Sequence, residues 1–488
     1  MTRTADLRAL GACAWLLLAS AAAGEPPPEG RCPSLQGRPG DGPLLDAAPT
    51  PLREGMVLGV EDVLLLRELL PEEIWSQRSE FFHPGMRMEI GPCHRRYPVA
   101  DFYARASLEH ADRARVDGDG NLHDYRAGLP FRPQSIDPAA PDAGIRWAWN
   151  LAYRYRAGGP RGHFRIVDMP GRLGSPQTYQ GTFFLLQTAH RADLAESGWA
   201  VPEARRAVFV AGGRFDEPFD ARHLAWRQIR PAETDRDPGE PDDTFVYVPS
   251  MRKMRRAASA WVEGMFTPRY RASSDAGGGG ILAAGDSYRP GGGVPGGGIQ
   301  PSAAASIQAT EDIGRGFAGL LFRPNAWSWR LVGEREVLAP LNSSRPAFPV
   351  EPDRNFGRSG LSLASDRWEV RQAAVLEGLA LKNAGAFERI AIYVDTQTQQ
   401  PLYLFTRKRS GRLVDVTIPA HRFSGDVAGY PRFAAGHETL VFDPVATVSY
   451  SPLDGSGWRR ESWDVRSTPV SDADVRRYTS SAFLERGN

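Results

Sequence analysis

Short apolar runs with a period of two dominate the chain after residue 160. They are rich in β-branched and aromatic residues and are bounded by Gly, Pro or Asp, which is typical of strands. We predict strands at residues 164–169, 178–189, 207–211, 223–229, 244–248, 328–332, 367–379, 388–395, 402–407, 412–418 and 441–450. Few helical patterns alternate with them, so the sequence favours a mainly β fold with some α, built on an antiparallel sheet or barrel.

Two helical patterns precede these strands. At residues 60–82 the apolar side chains recur on one stripe, made of Val63, Leu66, Leu69 and Leu70. Pro71 fits the first position of a second helix. Residues 145–155 alternate like a strand, but Asp142 before them and two glycines with a proline after them resemble a helix cap and stop, so we interpret them as helical.

The two ends of the chain differ in character from the body. Residues 1–23 combine Arg3 and Arg8 with a short apolar run and small residues up to Ala23, which predicts a cleaved signal peptide and export to the periplasm. Residues 24–55 read as an extended Pro- and Gly-rich arm. Residues 56–470 form the body, and residues 471–488 form a C-terminal helix and tail. Ser471 and Asp474 are predicted to cap that helix, which carries Val475, Tyr478 and Phe483 onto the body.

One low-complexity segment interrupts the body at residues 273–310. It is rich in Gly, Ala and Ser and has too few apolar residues to order itself, so we predict a flexible surface loop. Gly291, Gly293 and Gly296 match the spacing of a dinucleotide-binding loop by chance, because no strand–helix pattern surrounds them.

The cysteines predict one disulfide. Cys13 lies in the predicted signal peptide and is removed with it. Cys32 and Cys93 remain, in an oxidising compartment. A bond between them would fasten the arm to the body. The alternative is two unpaired thiols.

Charge and motifs exclude several functions. Lys and Arg number 59 against 58 acidic residues, a net charge of +1 that gives no electrostatic reason to expect nucleic acid or an anionic membrane as the main partner. The nine His residues form no metal motif, and we predict no cofactor, no metal site and no catalytic residues. The segment at 117–121 alternates oxygen ligands like a calcium loop, but Leu122 and Gly128 replace its essential Gly and Glu, which favours a plain turn.

One basic cluster stands out against this balance. It consists of Arg252, Lys253, Arg255 and Arg256 and follows an apolar segment. Such a cluster could form a rim for anionic head groups or for a partner protein. The alternative is a strand with solvated charges.

Several motifs resemble those of the bacterial domain-of-unknown-function family 1329. The main one is Asp-Asp-Thr-Phe-Val-Tyr-Val-Pro followed by the Arg-rich cluster, at residues 242–256, with Phe245 where Trp is commoner. Segments 125–131, 149–150, 329–340 and 367–370 also match. The hairpin at 393–402 resembles the Asp–Thr–Pro turn of LolA-type lipoprotein carriers.

This resemblance implies an incomplete, LolA-like β-barrel wrapped around a few helices and a role in the outer envelope. We therefore predict a periplasmic, non-enzymatic carrier for a lipid or other hydrophobic ligand, with a resistance-nodulation-division exporter or an outer-membrane protein as candidate partner. The alternatives are an adaptor or structural component of such an assembly and, less favoured, an envelope hydrolase.

A candidate ligand site follows from the strands at 388–395, 402–407 and 412–418, which are apolar on both faces and therefore predicted to be covered on both. One face carries Ile390, Ile392, Val394, Leu402 and Leu404. The other carries Ala391 and three aromatic residues that we predict to bind the ligand: Tyr393, Tyr403 and Phe405. The alternative is ordinary core on both faces.

Overall fold

The computed structural model describes residues 27–35, 50–169, 175–204, 206–219, 222–249, 252–257, 269–271, 306–308, 322–346, 356–357, 359–381, 387–452 and 457–486. The predicted signal peptide, part of the arm and most of the insert lie outside these ranges. Residues 306–308, within the predicted insert, form a short strand paired with residues 269–271.

Strands are the commonest regular element of the described chain and include all eleven predicted ones. They are β1 Ser34–Leu35, β2 Thr50–Pro51, β3 Val57–Leu58, β4 Met88–Ile90, β5 Arg115–Val116, β6 Leu122–His123, β7 Pro160–Met169, β8 Gln177–Gln187, β9 Ala207–Glu217, β10 Ala225–Pro231, β11 Asp243–Val248, β12 Lys253–Ala257, β13 Arg269–Arg271, β14 Ser306–Gln308, β15 Trp327–Ala339, β16 Arg367–Ala380, β17 Arg389–Asp395, β18 Pro401–Arg407, β19 Leu413–Phe423, β20 Phe442–Ser451 and β21 Gly457–Ser467.

Helices are short and few. The α-helices are α1 Glu72–Ser76, α2 Arg78–Phe81, α3 Asp101–His110, α4 Ala143–Ala152, α5 Asp472–Thr479 and α6 Ser481–Arg486. The 3-10 helices are Val60–Leu69, Pro133–Ser135, Ala192–Ser197, Pro202–Ala204, Ala232–Asp235, Pro324–Ala326 and Ser424–Asp426.

One large, open sheet organises the protein. Its strand order is β12-β11-β10-β9-β8-β7-β21-β20-β19-β18-β17-β16-β15, with every neighbouring pair antiparallel, and β4 adds a short parallel pairing to β16 with β3 beside it. Among the described residues β12 and β15 do not pair, so the sheet is not a closed barrel. The predicted mainly β, incomplete barrel is confirmed.

The sheet curls strongly towards one side. Laid flat, thirteen strands would span about 58 Å at about 4.8 Å per strand. Yet one hydrophobic cluster contains Trp226 and Val246 near one edge together with Trp327 and Trp329 at the other. Arg323, just before β15, also donates a hydrogen bond to Asp242, just before β11, at 2.6 Å. The two edges therefore meet and the sheet bends around this core, and we call this side the concave face.

Helix α4 packs on the concave face against β15 and β16. The helical interpretation is confirmed, although Asp142 makes no capping bond and instead accepts a hydrogen bond from Arg146 Nε at 2.8 Å. Gly144 permits the close approach, because a Cβ there would lie 2.8 Å from the backbone of Arg330. A side chain at this position would push the helix off the strand.

The N-terminal segment covers the opposite, outer face of β16–β20. Val63, Leu66 and Leu69 are buried there, as predicted, but their spacing of three matches a 3-10 helix, in which residues i and i+3 eclipse. The predicted disulfide is confirmed: Cys32 and Cys93 are bonded, with their Cα atoms 5.3 Å apart.

The C-terminal helices cover the outer face at the other part of the sheet. Ser471 and Asp474 form a reciprocal capping box, as predicted. Val475, Tyr478 and Phe483 pack against a cluster that contains Phe184. The ends of the chain therefore close the outer side of the sheet, while α4 fills part of the concave side.

Candidate ligand-binding face

Aromatic rings line the concave face of β7–β10 and β21. They belong to Phe164, Phe183, Phe215, Trp226 and Trp463, and all are buried. The Phe164 ring lies 6.1 Å from that of Trp226 and 6.2 Å from that of Trp463, measured between centroids. Five strands thus contribute to one continuous aromatic surface, which we call the aromatic face.

Glycines on neighbouring strands allow these rings to lie against the sheet. A Cβ at Gly213 would be 2.4 Å from the Trp226 ring, and one at Gly181 would be 2.9 Å from the Phe164 ring. Both contacts are shorter than side chains tolerate. The two glycines therefore leave the space in which the rings of Trp226 and Phe164 pack against the sheet.

Two indole N–H groups of the aromatic face have no acceptor among the described residues. They are Nε1 of Trp226 and Nε1 of Trp463. Other indoles are satisfied: those of Trp149, Trp329 and Trp368 donate to backbone carbonyls at 2.8–3.0 Å. Leaving a buried donor unpaired costs about 1–3 kcal/mol. An oxygen supplied by a bound molecule would remove that cost.

The predicted aromatic site lies on the other side of the sheet. Tyr393, Tyr403 and Phe405 are buried in the cluster beneath the helix Val60–Leu69, and Tyr403 donates to the carbonyl of Leu338. Their rings contact one another at 5.7–6.2 Å between centroids. Both faces of these strands are covered, as predicted. The N-terminal segment with the helix Val60–Leu69 covers the face that carries the three aromatic residues, and their ligand-binding role stays a prediction.

The pairing register of β17 and β18 differs in one respect from the sequence prediction. A bulge between Tyr393 and Val394 shifts the pairing, so Leu402 joins Tyr403 in the outer cluster, whereas Leu404 lies on the concave side. Assigning Leu402 to the face of Ile392 was therefore wrong, because alternation fails across a bulge.

The predicted basic rim occupies an edge of the sheet. Arg252 and Lys253 are exposed at the turn between β11 and β12. Arg255 and Arg256 lie within β12, opposite Val246 and Phe245 respectively. Their role as a rim stays a prediction.

A buried ionic network joins the two ends of the curled sheet. Asp242, just before β11, accepts hydrogen bonds from Arg230 Nη2 at 3.0 Å, Gln228 Nε2 at 2.6 Å and Arg323 Nη2 at 2.6 Å. Arg323 approaches from the segment before β15. We call this network the seam. Burial alone would raise the pKa of Asp242, but the charges of Arg230 and Arg323 outweigh it and lower that pKa.

A second polar cluster lies at the end of α4. Tyr153 donates a hydrogen bond to Asp235, and His190 Nε2 lies 3.7 Å from the same carboxylate. Burial raises the pKa of Asp235 to about 7 and lowers the pKa of His190 to about 4. The carboxyl can therefore hold a proton near neutral pH.

The segment at residues 117–121, which alternates oxygen ligands like a calcium loop, forms a turn. Asp117 accepts from the backbone N–H groups of Asp119 and Asn121, both at 2.9 Å, and contacts His123, so the segment is the predicted turn. Within the described ranges no three His, Cys, Asp or Glu side chains cluster as a metal site. The helices in those ranges include none that is long and apolar enough to cross a membrane.

Comparison with protein families identifies the chain. Residues 76–269 and 298–431 match the profile of the family described as protein of unknown function, DUF1329. The chain belongs to the DUF1329 family. The match contains β11 and β12, which carry the signature at 242–256, and it contains most of the described sheet. No curated protein matches the sequence.

Solved structures similar to this DUF1329 protein have low sequence identity. A DUF1329 protein from Desulfovibrio piger is 12% identical, with 71% of this chain and 98% of that chain covered and a TM-score of 0.38. A putative outer membrane lipoprotein-sorting domain from Vibrio parahaemolyticus is also 12% identical, with 71% and 100% covered and a TM-score of 0.37. A LolA superfamily protein from Nitrosomonas europaea is 9% identical, with 68% and 94% covered and a TM-score of 0.32.

Sequence reasoning missed Trp226, Trp463 and the seam. Trp226 lies in a predicted strand, but nothing in the sequence indicates that its indole lacks a partner. The signal for Asp242 was present, since it begins the signature motif, but nothing in the sequence indicates that its partners are Arg230, 12 residues away, and Arg323, 81 residues away.

Proposed function

We propose that this DUF1329 protein is a periplasmic, non-enzymatic carrier for a lipid or other hydrophobic ligand, held on the aromatic face. The predicted signal peptide supports export, and the disulfide supports an oxidising compartment. We include an outer-membrane protein or a resistance-nodulation-division exporter as the proposed partner.

The observation that carries the proposal is the pair of unsatisfied indole donors in an apolar surface. Trp226 and Trp463 carry N–H groups that have no acceptor, and the side chains of their cluster are apolar. An ester, carbonyl or hydroxyl oxygen of a lipid would accept those bonds, while its acyl chain packs on Phe164 and Phe215. Burying the chain contributes about 0.8 kcal/mol per methylene. Release then needs only a partner that binds the ligand better.

Native mass spectrometry with lipid extraction of the purified protein tests this directly. A co-purifying hydrophobic species is expected. If none is found under several purification conditions, the adaptor role is favoured instead.

A matched set of variants tests the site itself. Trp226→Phe and Trp463→Phe keep a ring but remove the donor. Each should weaken binding of a fatty-acid methyl ester about two- to tenfold, which corresponds to one hydrogen bond, and leave binding of the alkane of equal length unchanged. Trp458→Phe is the control, because Trp458 lies on β21, as Trp463 does, but packs against the cluster on the outer face of the sheet. Equal effects of all three variants would contradict the assignment.

The predicted site at Tyr393, Tyr403 and Phe405 is tested by the same titration. Ligand could reach these rings only if the helix Val60–Leu69 moved away. If Phe405→Leu loses ester binding and Trp226→Phe retains it, the ligand binds on the outer face and not on the aromatic face.

A further inference from the structure

One buried arginine of this protein lacks the kind of partner that the others have. Five buried arginines pair with carboxylates at 2.5–3.0 Å, namely Arg191, Arg230, Arg323, Arg371 and Arg459. Arg154, which follows α4, is only 2% exposed, yet none of the carboxylates among the described residues pairs with it. A charge in a protein interior is costly unless an opposite charge balances it. The counter-charge of Arg154 therefore has to be found.

Neutral acceptors bind only part of the Arg154 guanidinium. Its Nη1 donates to the carbonyl of Leu151 at 2.8 Å, and its Nε donates to Oε1 of Gln400 at 3.1 Å. Leu151 lies in the last turn of α4, and the end of a helix carries about half a negative charge. Arg156 also binds there, since its Nη1 donates to the carbonyl of Ala152 at 2.6 Å. Half a charge that is shared with a second arginine does not balance Arg154.

An imidazole without a partner lies close to this guanidinium. His421 is 4% exposed, and its Nδ1 has no hydrogen-bond partner among the described residues. Burial and the charge of Arg154 lower the pKa of His421 to about 3, so the ring is neutral at physiological pH and keeps one N–H donor. Since Leu404 of β18 pairs with Thr417 of β19, Gln400 and His421 come at the same end of these two strands. We call Arg154, Gln400 and His421 the Arg154 cluster.

We propose that the Arg154 cluster binds an oxyanion group, either a phosphate or a carboxylate. Such a group would supply the missing negative charge, and its oxygens match the parallel N–H groups of a guanidinium. The His421 ring and Nε2 of Gln400, which donates to no described residue, can add further hydrogen bonds. The group belongs to a free anion or to the head of a lipid; the first form stands without the proposed carrier function, and the second rests on it.

Equilibrium urea unfolding of the chain without its predicted signal peptide tests the proposal, because an anion can enter the site during refolding. Sodium phosphate and sodium acetate are compared with sodium chloride at equal ionic strength. For one site, each tenfold rise in anion above its dissociation constant should raise the folding equilibrium constant about tenfold. Dodecyl phosphate and dodecanoate, below their micelle concentrations, are titrated in the same way. A response to phosphate or acetate identifies a free anion as ligand, and a response to the dodecyl compounds alone identifies a head group.

Three variants separate this site from general salt effects. Arg154→Met removes the charge and should abolish the response, and it should lower the urea midpoint less than Arg371→Met, which leaves the buried Asp395 without its cation. Arg409→Met makes the same substitution at an exposed position and should keep the full response, including any general effect of phosphate on folding. His421→Leu should keep the response but raise the apparent dissociation constant about two- to tenfold, as expected for one hydrogen bond.

Three results would overturn the proposal. They are an equal response of wild type and Arg154→Met to every anion, an equal loss of response in Arg409→Met, and an Arg154→Met variant that is as destabilised without added anion as Arg371→Met. The last result would show that the chain itself supplies the counter-charge. A chain that binds the methyl ester but responds to no oxyanion would keep the carrier function and overturn this proposal, and a response to phosphate without any ester binding would do the reverse.

Discussion

Breaking the seam should destabilise the whole sheet. Asp242→Asn keeps the shape of the side chain but removes the charge that neutralises Arg230 and Arg323. The side chains of Asp242 and the two arginines are at most 5% exposed, so water cannot replace the lost partner. The new amide also presents N–H donors to a site already filled with donors. Removing one partner from a buried ionic network costs about 3–5 kcal/mol, and we expect a loss in that range.

Urea unfolding followed by tryptophan fluorescence and circular dichroism measures this loss. Asp119→Asn is the matched control, because it makes the same chemical change at an exposed position away from the seam. We expect that control to change the free energy of unfolding by less than about 0.5 kcal/mol. If both variants lose the same amount, within about 1 kcal/mol, the seam does not hold the two ends of the sheet together and the reasoning fails.

The pH dependence of the seam has a defined sign. Since the folded pKa of Asp242 is lowered, its contribution is present above the pKa of the unfolded chain and is lost as the pH falls through the folded pKa. The difference in stability between wild type and Asp242→Asn should therefore shrink on acidification. A constant difference down to acid unfolding would show that the charge is not the cause.

Three further predictions concern the outer face, the disulfide and the polar cluster. Phe405→Glu and Ile392→Glu should both unfold the protein, since both side chains are fully buried; a folded Phe405→Glu protein that no longer loads ligand would instead support the outer-face site. Cys93→Ala should lower the free energy of unfolding by about 4 kcal/mol, because the bond spans 61 residues of sequence; an unchanged urea midpoint would contradict this. Burial raises the pKa of Asp235 from 3.8 to about 7. The stability that the protonated Asp235 carboxyl contributes is therefore lost as the pH rises across that interval. The wild type should therefore lose stability relative to Asp235→Asn between pH 4 and 7, and parallel pH profiles would refute the shift.

Local sequence patterns predicted most strands and helices, because strand alternation, helix caps and the apolar face of a helix are set by residues that are close in sequence. The capping box at Ser471 and the alternation of β17 needed no distant information. Strand β21 was missed, since Arg459 and Glu461 make it look exposed. In the structure these two side chains are buried and paired at 2.7 Å, which a single segment cannot reveal.

The candidate site was harder to predict than the fold. The sequence indicates Tyr393, Tyr403 and Phe405 because they lie on one face of consecutive predicted strands, and aromatic residues with polar tips suit the mouth of a cavity. The aromatic face collects Phe164, Phe215, Trp226 and Trp463 from strands up to about 300 residues apart. Only the curl of the sheet brings them together, and only coordinates show that two indoles lack acceptors.

The position of β21 in the middle of the sheet determines when the protein can finish folding. This strand is the last in the chain, yet it lies between β7 and β20 and joins the two parts of the sheet. Until β21 is available, the strands before it can assemble only as two separate sheets, each with an unpaired edge that could pair with another chain. The protein therefore remains vulnerable to aggregation until β21 has joined the two sheets.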